Sequence, residues 1–95
     1  MTVHKVFPPT FDSDVERLVF TVDVDGVPFK FHLYWDDTKW RGYVAIPDVG
    51  VREIGIIPGV VNWSRYLDYS VVFYSEYESI DQSNIGLSVI YIISK

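Results

Sequence analysis

Between Leu18 and Tyr34 apolar and polar positions alternate with the period of a strand that buries one face. Leu18, Phe20, Val22 and Val24 hold one set of positions, with Val19, Thr21 and Asp23 between them. After Asp25-Gly26 the alternation resumes, Val27, Phe29, Phe31 and Leu33 against Pro28, Lys30, His32 and Tyr34. Asp-Gly is favoured in the two-residue type I′ turn, which needs positive φ at both central positions. That turn sets Val24 opposite Val27, Val22 opposite Phe29, Phe20 opposite Phe31 and Leu18 opposite Leu33. A slip of one residue would mix polar groups into the apolar face. Turn chemistry and pattern therefore agree independently. Pro28, opposite Asp23, has no N–H to donate, which predicts an open ladder beside the turn.

The remaining chain predicts shorter elements. Asp36-Asp37-Thr38-Lys39 reads as a turn, and a third strand follows over Trp40–Ile46 with Trp40, Gly42, Val44 and Ile46 on one face. Pro47-Asp48-Val49-Gly50 ends it, and a fourth strand covers Val51–Ile57. Pro58-Gly59 suits the centre of a type II turn. Val60–Tyr69 has no clear period; one reading of Asn62–Leu67 is a single helical turn capped by Asn62. A fifth strand runs over Ser70–Ser75, and Glu76–Asn84 is a polar, acidic loop. The closing strand, Leu87–Ser94, is almost wholly apolar, which predicts burial on both faces or cover from a partner. The first fourteen residues do not alternate, yet Val3, Val6, Phe7 and Phe11 flank Pro8-Pro9. This segment reads as an apolar arm, stiffened by its prolines, lying over its own domain or docked on a neighbour. The expected architecture is one all-β domain spanning 1–95. It has an extended N-terminal arm over 1–14 and a β core over 15–95, a small antiparallel β-barrel or β-sandwich of about six strands.

Composition points the same way. The chain holds 15 Val and 9 Ile but 4 Leu and 1 Ala, and branched residues fit pleated sheets where Ala and Leu fit helices. No period of 20–50 residues recurs, so repeat architectures are excluded. The absence of cysteine excludes a disulfide scaffold, a thiolate metal site and a cysteine nucleophile, and favours an intracellular or assembly setting. No apolar run reaches the roughly 18 residues of a membrane span, and Met1–Pro9 lacks the apolar core of a signal peptide. The net charge of −5 leaves no basic surface to neutralise phosphates, so direct nucleic-acid binding is not expected.

Candidate chemistry is sparse. Asp23-Val24-Asp25-Gly26 has the look of a calcium-loop fragment. In the EF-hand frame, however, the first position would be Thr21 and the twelfth His32, where a bidentate Glu is needed. The hairpin accounts for the same residues. Asp36-Asp37 is an acidic pair, but sequence neighbours rarely flank one bond as catalytic carboxylates must; turn residues are the simpler reading. The histidines are His4 and His32, too few to build a metal site without Cys partners. No phosphate loop, nucleophile elbow or HExxH helix is present. No catalytic residue, cofactor or metal ligand is assigned, and an enzyme is not expected.

Aromatics at irregular or outward positions are the stronger signal, because Tyr and Trp are enriched at protein interfaces. Tyr34 and Tyr43 share the face opposite the expected core, Trp63, Tyr66 and Tyr69 cluster in the irregular segment, and Tyr77 lies in the acidic loop with Glu76 and Glu78. With Phe7 and Phe11 of the arm, these ten are the candidate interaction residues. Phe7 is the expected anchor of an inter-chain contact, and a chain lacking Met1–Pro9 is expected to fold but not to assemble.

The run Asp25-Gly26-Val27-Pro28-Phe29-Lys30-Phe31-His32-Leu33-Tyr34-Trp35-Asp36-Asp37, followed by Tyr43-Val44-Ala45-Ile46 and Asp48, resembles a known pattern. In it an alternating strand ends in Trp-Asn-Asp or a variant, and a Tyr-Leu-Asp-Ile-like strand follows. Ile57-Pro58-Gly59-Val60-Val61 is similar to its Gly-centred corner, and Ile85-Gly86-Leu87-Ser88-Val89-Ile90-Tyr91-Ile92 to its closing strand. The pattern is that of the small plug proteins of phage tails, known from cyanophage baseplates and many prophages. The resemblance covers most of the chain after Arg17. It departs at Gly42, often a large aromatic in the family, and at Ala45, often acidic. It implies a structural protein of the virion, at the baseplate hub or distal tail tube, made in the host cytoplasm. Its partners would be hub, tube and sheath-initiator-type proteins in a symmetric, multi-copy assembly, and no catalytic residue carries over. The alternative is a soluble β-barrel module that binds a small ligand or peptide at a barrel mouth or free edge.

Overall fold

A computed structural model describes residues 2–9, 16–63 and 67–94. These contain eight strands in chain order: β1 Thr2–Val6, β2 Arg17–Val24, β3 Val27–Trp35, β4 Trp40–Ile46, β5 Gly50–Gly55, β6 Val61–Asn62, β7 Tyr69–Tyr74 and β8 Val89–Ser94. A single 3-10 turn, Ile85–Leu87, precedes β8. The strands form two antiparallel four-stranded sheets, a hairpin sheet of order β2-β3-β4-β5 and a terminal sheet of order β1-β8-β7-β6. The architecture is a sandwich rather than a closed barrel.

The β2–β3 hairpin follows the expected register throughout, from Leu18 opposite Leu33 to Val24 opposite Val27. Asp25 and Gly26 take φ of 52° and 86°, the paired positive values of a type I′ turn. Pro28 faces Asp23, and β4 pairs with β3 only from Lys30 onward, so the missing N–H falls outside that ladder. β4 buries Trp40, Gly42, Val44 and Ile46 as expected. Gly42 stands where the resembling pattern often has an aromatic, and the reason is steric: a Cβ there would lie 2.6 Å from Leu33 Cδ2 and 2.9 Å from the His32 carbonyl oxygen. The large ring sits two residues earlier instead, where Trp40 meets Trp35 edge-to-face with centroids 5.8 Å apart.

One core joins the sheets. Phe29, Phe31, Leu33 and Val44 of the hairpin sheet and Val71, Phe73, Ile90 and Ile92 of the terminal sheet are completely buried. Phe20 stacks on Phe31 at 5.1 Å, and Tyr69 meets Phe29 edge-to-face at 4.9 Å across the sheets.

Three expectations are corrected. The N-terminal arm does not lie outside the sheet over Thr2–Val6; it is an edge strand paired with β8 from Val6–Ile90 to Thr2–Ser94. Its alternation is hidden because Val3 and Phe7 face outward while Val6 packs against the core, so apolar groups occupy both faces. The expected helical turn capped by Asn62 is replaced at its start by β6. The Asn62 side chain accepts from Gly55 N–H at 2.9 Å and donates to the carbonyl oxygens of Gly55 at 3.1 Å and Val71 at 3.0 Å. Residues 64–66 of that expected turn lie outside the described residues. Finally, no strand pairing joins the two sheets among the described residues. Asn62 links β5 to β7 through its side chain at one edge. At the other, Asp25 at the hairpin tip accepts from Thr2 Oγ1 at 3.2 Å and lies 3.5 Å from His4 Nε2.

Candidate interaction surface

In a sandwich each sheet has an inner and an outer face, and strand alternation decides which residues reach the outer one. The outer face of the hairpin sheet is mixed, carrying charged side chains together with exposed Val19 and Val51 and an apolar groove beside Pro28, Ala45 and Val51. One row across it reads Arg17, Tyr34, Arg41 and Gly55; the next reads Val19, His32, Tyr43 and Glu53; the next Thr21, Lys30, Ala45 and Val51. His32 and Tyr43 stack there with centroids 4.6 Å apart, a cross-strand pair of the kind that steadies a sheet.

The outer face of the terminal sheet carries less charge. Lys5 of β1, Tyr91 of β8, Val72 of β7 and Val61 of β6 form one row; Val3, Ile93 and Ser70 form the next; Phe7, just past β1, continues toward Val89 and Tyr74. Phe7 is 63% exposed, Val3 55%, Tyr74 53% and Val61 50%. Lys5 is the one charged side chain these strands present outward, and its Nζ lies 5.5 Å from the Phe7 ring centroid. The face is mainly apolar, with Phe7, Val3, Tyr74 and Val61 exposed on it and Val72, Val89, Tyr91 and Ile93 partly buried between them. At its Phe7–Val89–Tyr74 end begins the 75–84 connection, where Glu76, Tyr77 and Glu78 are exposed.

The structure distributes the ten candidate interaction residues unevenly. Phe7 lies on the apolar face, and Tyr77, Glu76 and Glu78 adjoin it. Tyr34 and Tyr43 share the outer face of the hairpin sheet. Trp63 and Tyr69 pack against the core, and the Trp63 indole donates to the Glu53 carbonyl oxygen at 2.8 Å. Phe11 and Tyr66 lie outside the described residues. Val3, Val61, Val72, Tyr91 and Ile93 were not singled out as a surface by sequence reasoning. The signal that could have found them is the apolar character of 89–93, which demands cover on both sides, combined with Val3-Lys5-Phe7 read as an edge strand.

The acidic turns are structural. Asp36 accepts from the Thr38 and Lys39 N–H groups at 3.0 and 2.9 Å, from Thr38 Oγ1 at 2.7 Å, and from Arg41 Nε. The Arg41 guanidinium above all, then the Thr38 hydroxyl, holds the Asp36 carboxyl far below the usual carboxylate range, and Asp36 in turn raises Arg41. The Ser83 hydroxyl, with the Ser83 and Asn84 N–H groups, likewise lowers Asp81. Both carboxylates are occupied in closing their own turns. Among the described residues, no three His, Asp or Glu side chains converge where they could hold a metal ion. A cleft of about 280 Å³ beside β5, lined by residues including Lys39, Arg41, Glu53 and Ile57, mixes charges and apolar groups.

Comparison of the chain with protein families, with curated proteins and with solved structures finds no match.

Proposed function

We propose that the chain is a structural protein of a phage-like tail, a plug or hub-associated component at the baseplate or distal tail tube, acting through protein–protein contacts. The observation that carries the interaction part of this reading is the apolar outer face of the terminal sheet. Val3, Phe7, Val61 and Tyr74 are each half or more exposed there. A domain of 95 residues that leaves such a face open gains from covering it, at about 25 cal/mol per Å² of apolar surface removed from water. The tail assignment rests on the likeness of Asp25–Asp37, Tyr43–Ile46, Ile57–Val61 and Ile85–Ile92 to the plug proteins. In this reading the partners are hub, tube and sheath-initiator-type proteins, the protein belongs to the virion, and no nucleic acid is contacted directly. Glu76 and Glu78, at the margin of the apolar face, then call for Lys or Arg on the partner, which would set specificity and association rate. The ligand-module alternative rests on the 280 Å³ cleft and on a groove of about 410 Å³ lined by residues including Pro28, Ala45, Ile46 and Val51; neither gathers the several polar groups that orient a small ligand.

Particles purified from a host carrying the gene test the proposal. Antibody labelling should place the protein at one end of the tail, and it should co-purify with tails through density-gradient centrifugation. Recovery only from the soluble fraction, with tails complete without it, would overturn the assignment.

A further inference from the structure

We infer that the outer face of the terminal sheet packs against the same face of a second copy of this chain, in a two-fold, sheet-on-sheet dimer. The inference rests on the reading of this face as an interface and names its first occupant.

At strand spacings near 4.8 Å and rises near 3.4 Å, three full strands with part of a fourth present a footprint of roughly 350 Å². Phe7 and Tyr74, 63% and 53% exposed, project from it and add on the order of 100 Å² each. Two copies therefore cover roughly 1,100 Å² between them, above the extent of most crystal-packing contacts and at the low end of specific association. The dimer should accordingly be concentration-dependent.

An apolar, four-stranded sheet face is what the interior of this sandwich already packs against another sheet, about 10 Å away. Val3, Val72, Tyr91 and Ile93 repeat that apolar pattern on the outside. A second copy always offers the matching surface, and a two-fold axis makes one face complementary to itself.

Charge decides whether two chains of net charge −5 can meet. Within their strands the terminal sheets present only Lys5 outward, and β1 is an edge, so its ammonium reaches the rim, where the exposed Glu76 and Glu78 of each copy stay in water. Stacking through these faces puts the two charged hairpin sheets on the outside of four layers, about 30 Å apart. That is several Debye lengths at physiological salt, so their repulsion is largely screened.

Sedimentation velocity on the full chain, from about 1 μM to about 500 μM, reads the equilibrium directly. The weight-average mass should rise from that of one chain toward twice that value. Tyr74→Glu and Val61→Lys, each exposed and outside the core, should each weaken association at least tenfold while far-ultraviolet circular dichroism is unchanged. Thr21→Lys on the hairpin sheet should leave association unaltered. A monomer across the whole range overturns the inference, as does a dimer that Thr21→Lys weakens and neither face variant does. A chain that stays monomeric yet enters tails refutes the dimer and leaves the tail role standing. One that dimerises through this face but is absent from tails does the reverse.

Discussion

The two sheets of this sandwich have four strands each and apolar inner faces, but their outer faces differ. The hairpin sheet places Arg17, Lys30, Arg41 and Glu53 outward, with an aromatic–imidazole stack at His32 and Tyr43 among them. The terminal sheet places Val3, Val72, Tyr91 and Ile93 outward with Lys5 as its one charge. A sheet facing water on one side normally alternates apolar-in and polar-out, and β2–β3 obeys that rule. β8 carries apolar groups on both sides, which is the pattern of a strand between two layers. The difference teaches that strand alternation within one small domain can leave one outer face charged and the other mainly apolar.

The comparison can be broken first by deletion. Removing Met1–Pro9 strips an edge strand with five paired positions and uncovers Ile90 and Ile92, both completely buried. The truncated chain is expected to lose most of a small domain's stability, roughly 5 kcal/mol or more, and to unfold or aggregate on thermal melting. This reverses the expectation of a detachable arm; a truncated chain with an unchanged melting curve would restore it.

In the hairpin sheet the largest single-residue effect belongs to Phe31→Ala. The ring is 0% exposed and stacked on Phe20, so urea unfolding should show a loss of about 3–5 kcal/mol. Asn62→Ala probes the seam between the sheets. It removes three hydrogen bonds spanning Gly55 and Val71 and leaves partly buried backbone groups unpaired, for an expected loss of about 1–3 kcal/mol. A change below about 0.5 kcal/mol, the range of ordinary surface substitutions, would mean that the seam is incidental.

The smallest effect is expected at Asp36. Its carboxyl is depressed in the folded chain, chiefly by Arg41, so the stabilisation it provides is present above the ordinary carboxylate pKa of about 3.9. That contribution is lost as pH falls from there toward the lower folded value. Asp36→Asn should lower stability modestly at neutral pH and flatten the acid limb of a stability-against-pH curve, its difference from the unaltered chain closing as pH falls.

How much was legible in the sequence follows from where the determinants lie. The β2–β3 hairpin was readable to the residue because Asp25-Gly26 and the flanking alternation are local and redundant. β4 was readable for the same reason. β1 was not, since its partner β8 is almost the full chain length away and no turn links them. With Val3 and Phe7 facing one way and Val6 the other, the period of two is also lost. β6 is two residues long, too short for any pattern, and Asn62 acts through its side chain rather than its backbone conformation. The candidate site was half visible. The apolar run before Ser94 signalled cover on both faces, but the face itself is assembled from β1, β6, β7 and β8. The aromatics singled out locally were divided among the core, the outer face of the hairpin sheet and the acidic loop.

The central claim is that the outer face of the terminal sheet is the surface through which the protein assembles. The most direct measurement is incorporation into tails by chains altered on one face or the other. Tyr74→Glu and Val61→Lys should fold, with unchanged circular dichroism and a stability change within about 0.5 kcal/mol, yet be depleted from purified particles, while Thr21→Lys on the hairpin sheet should be incorporated like the unaltered chain. Equal incorporation of the terminal-face variants would contradict the account.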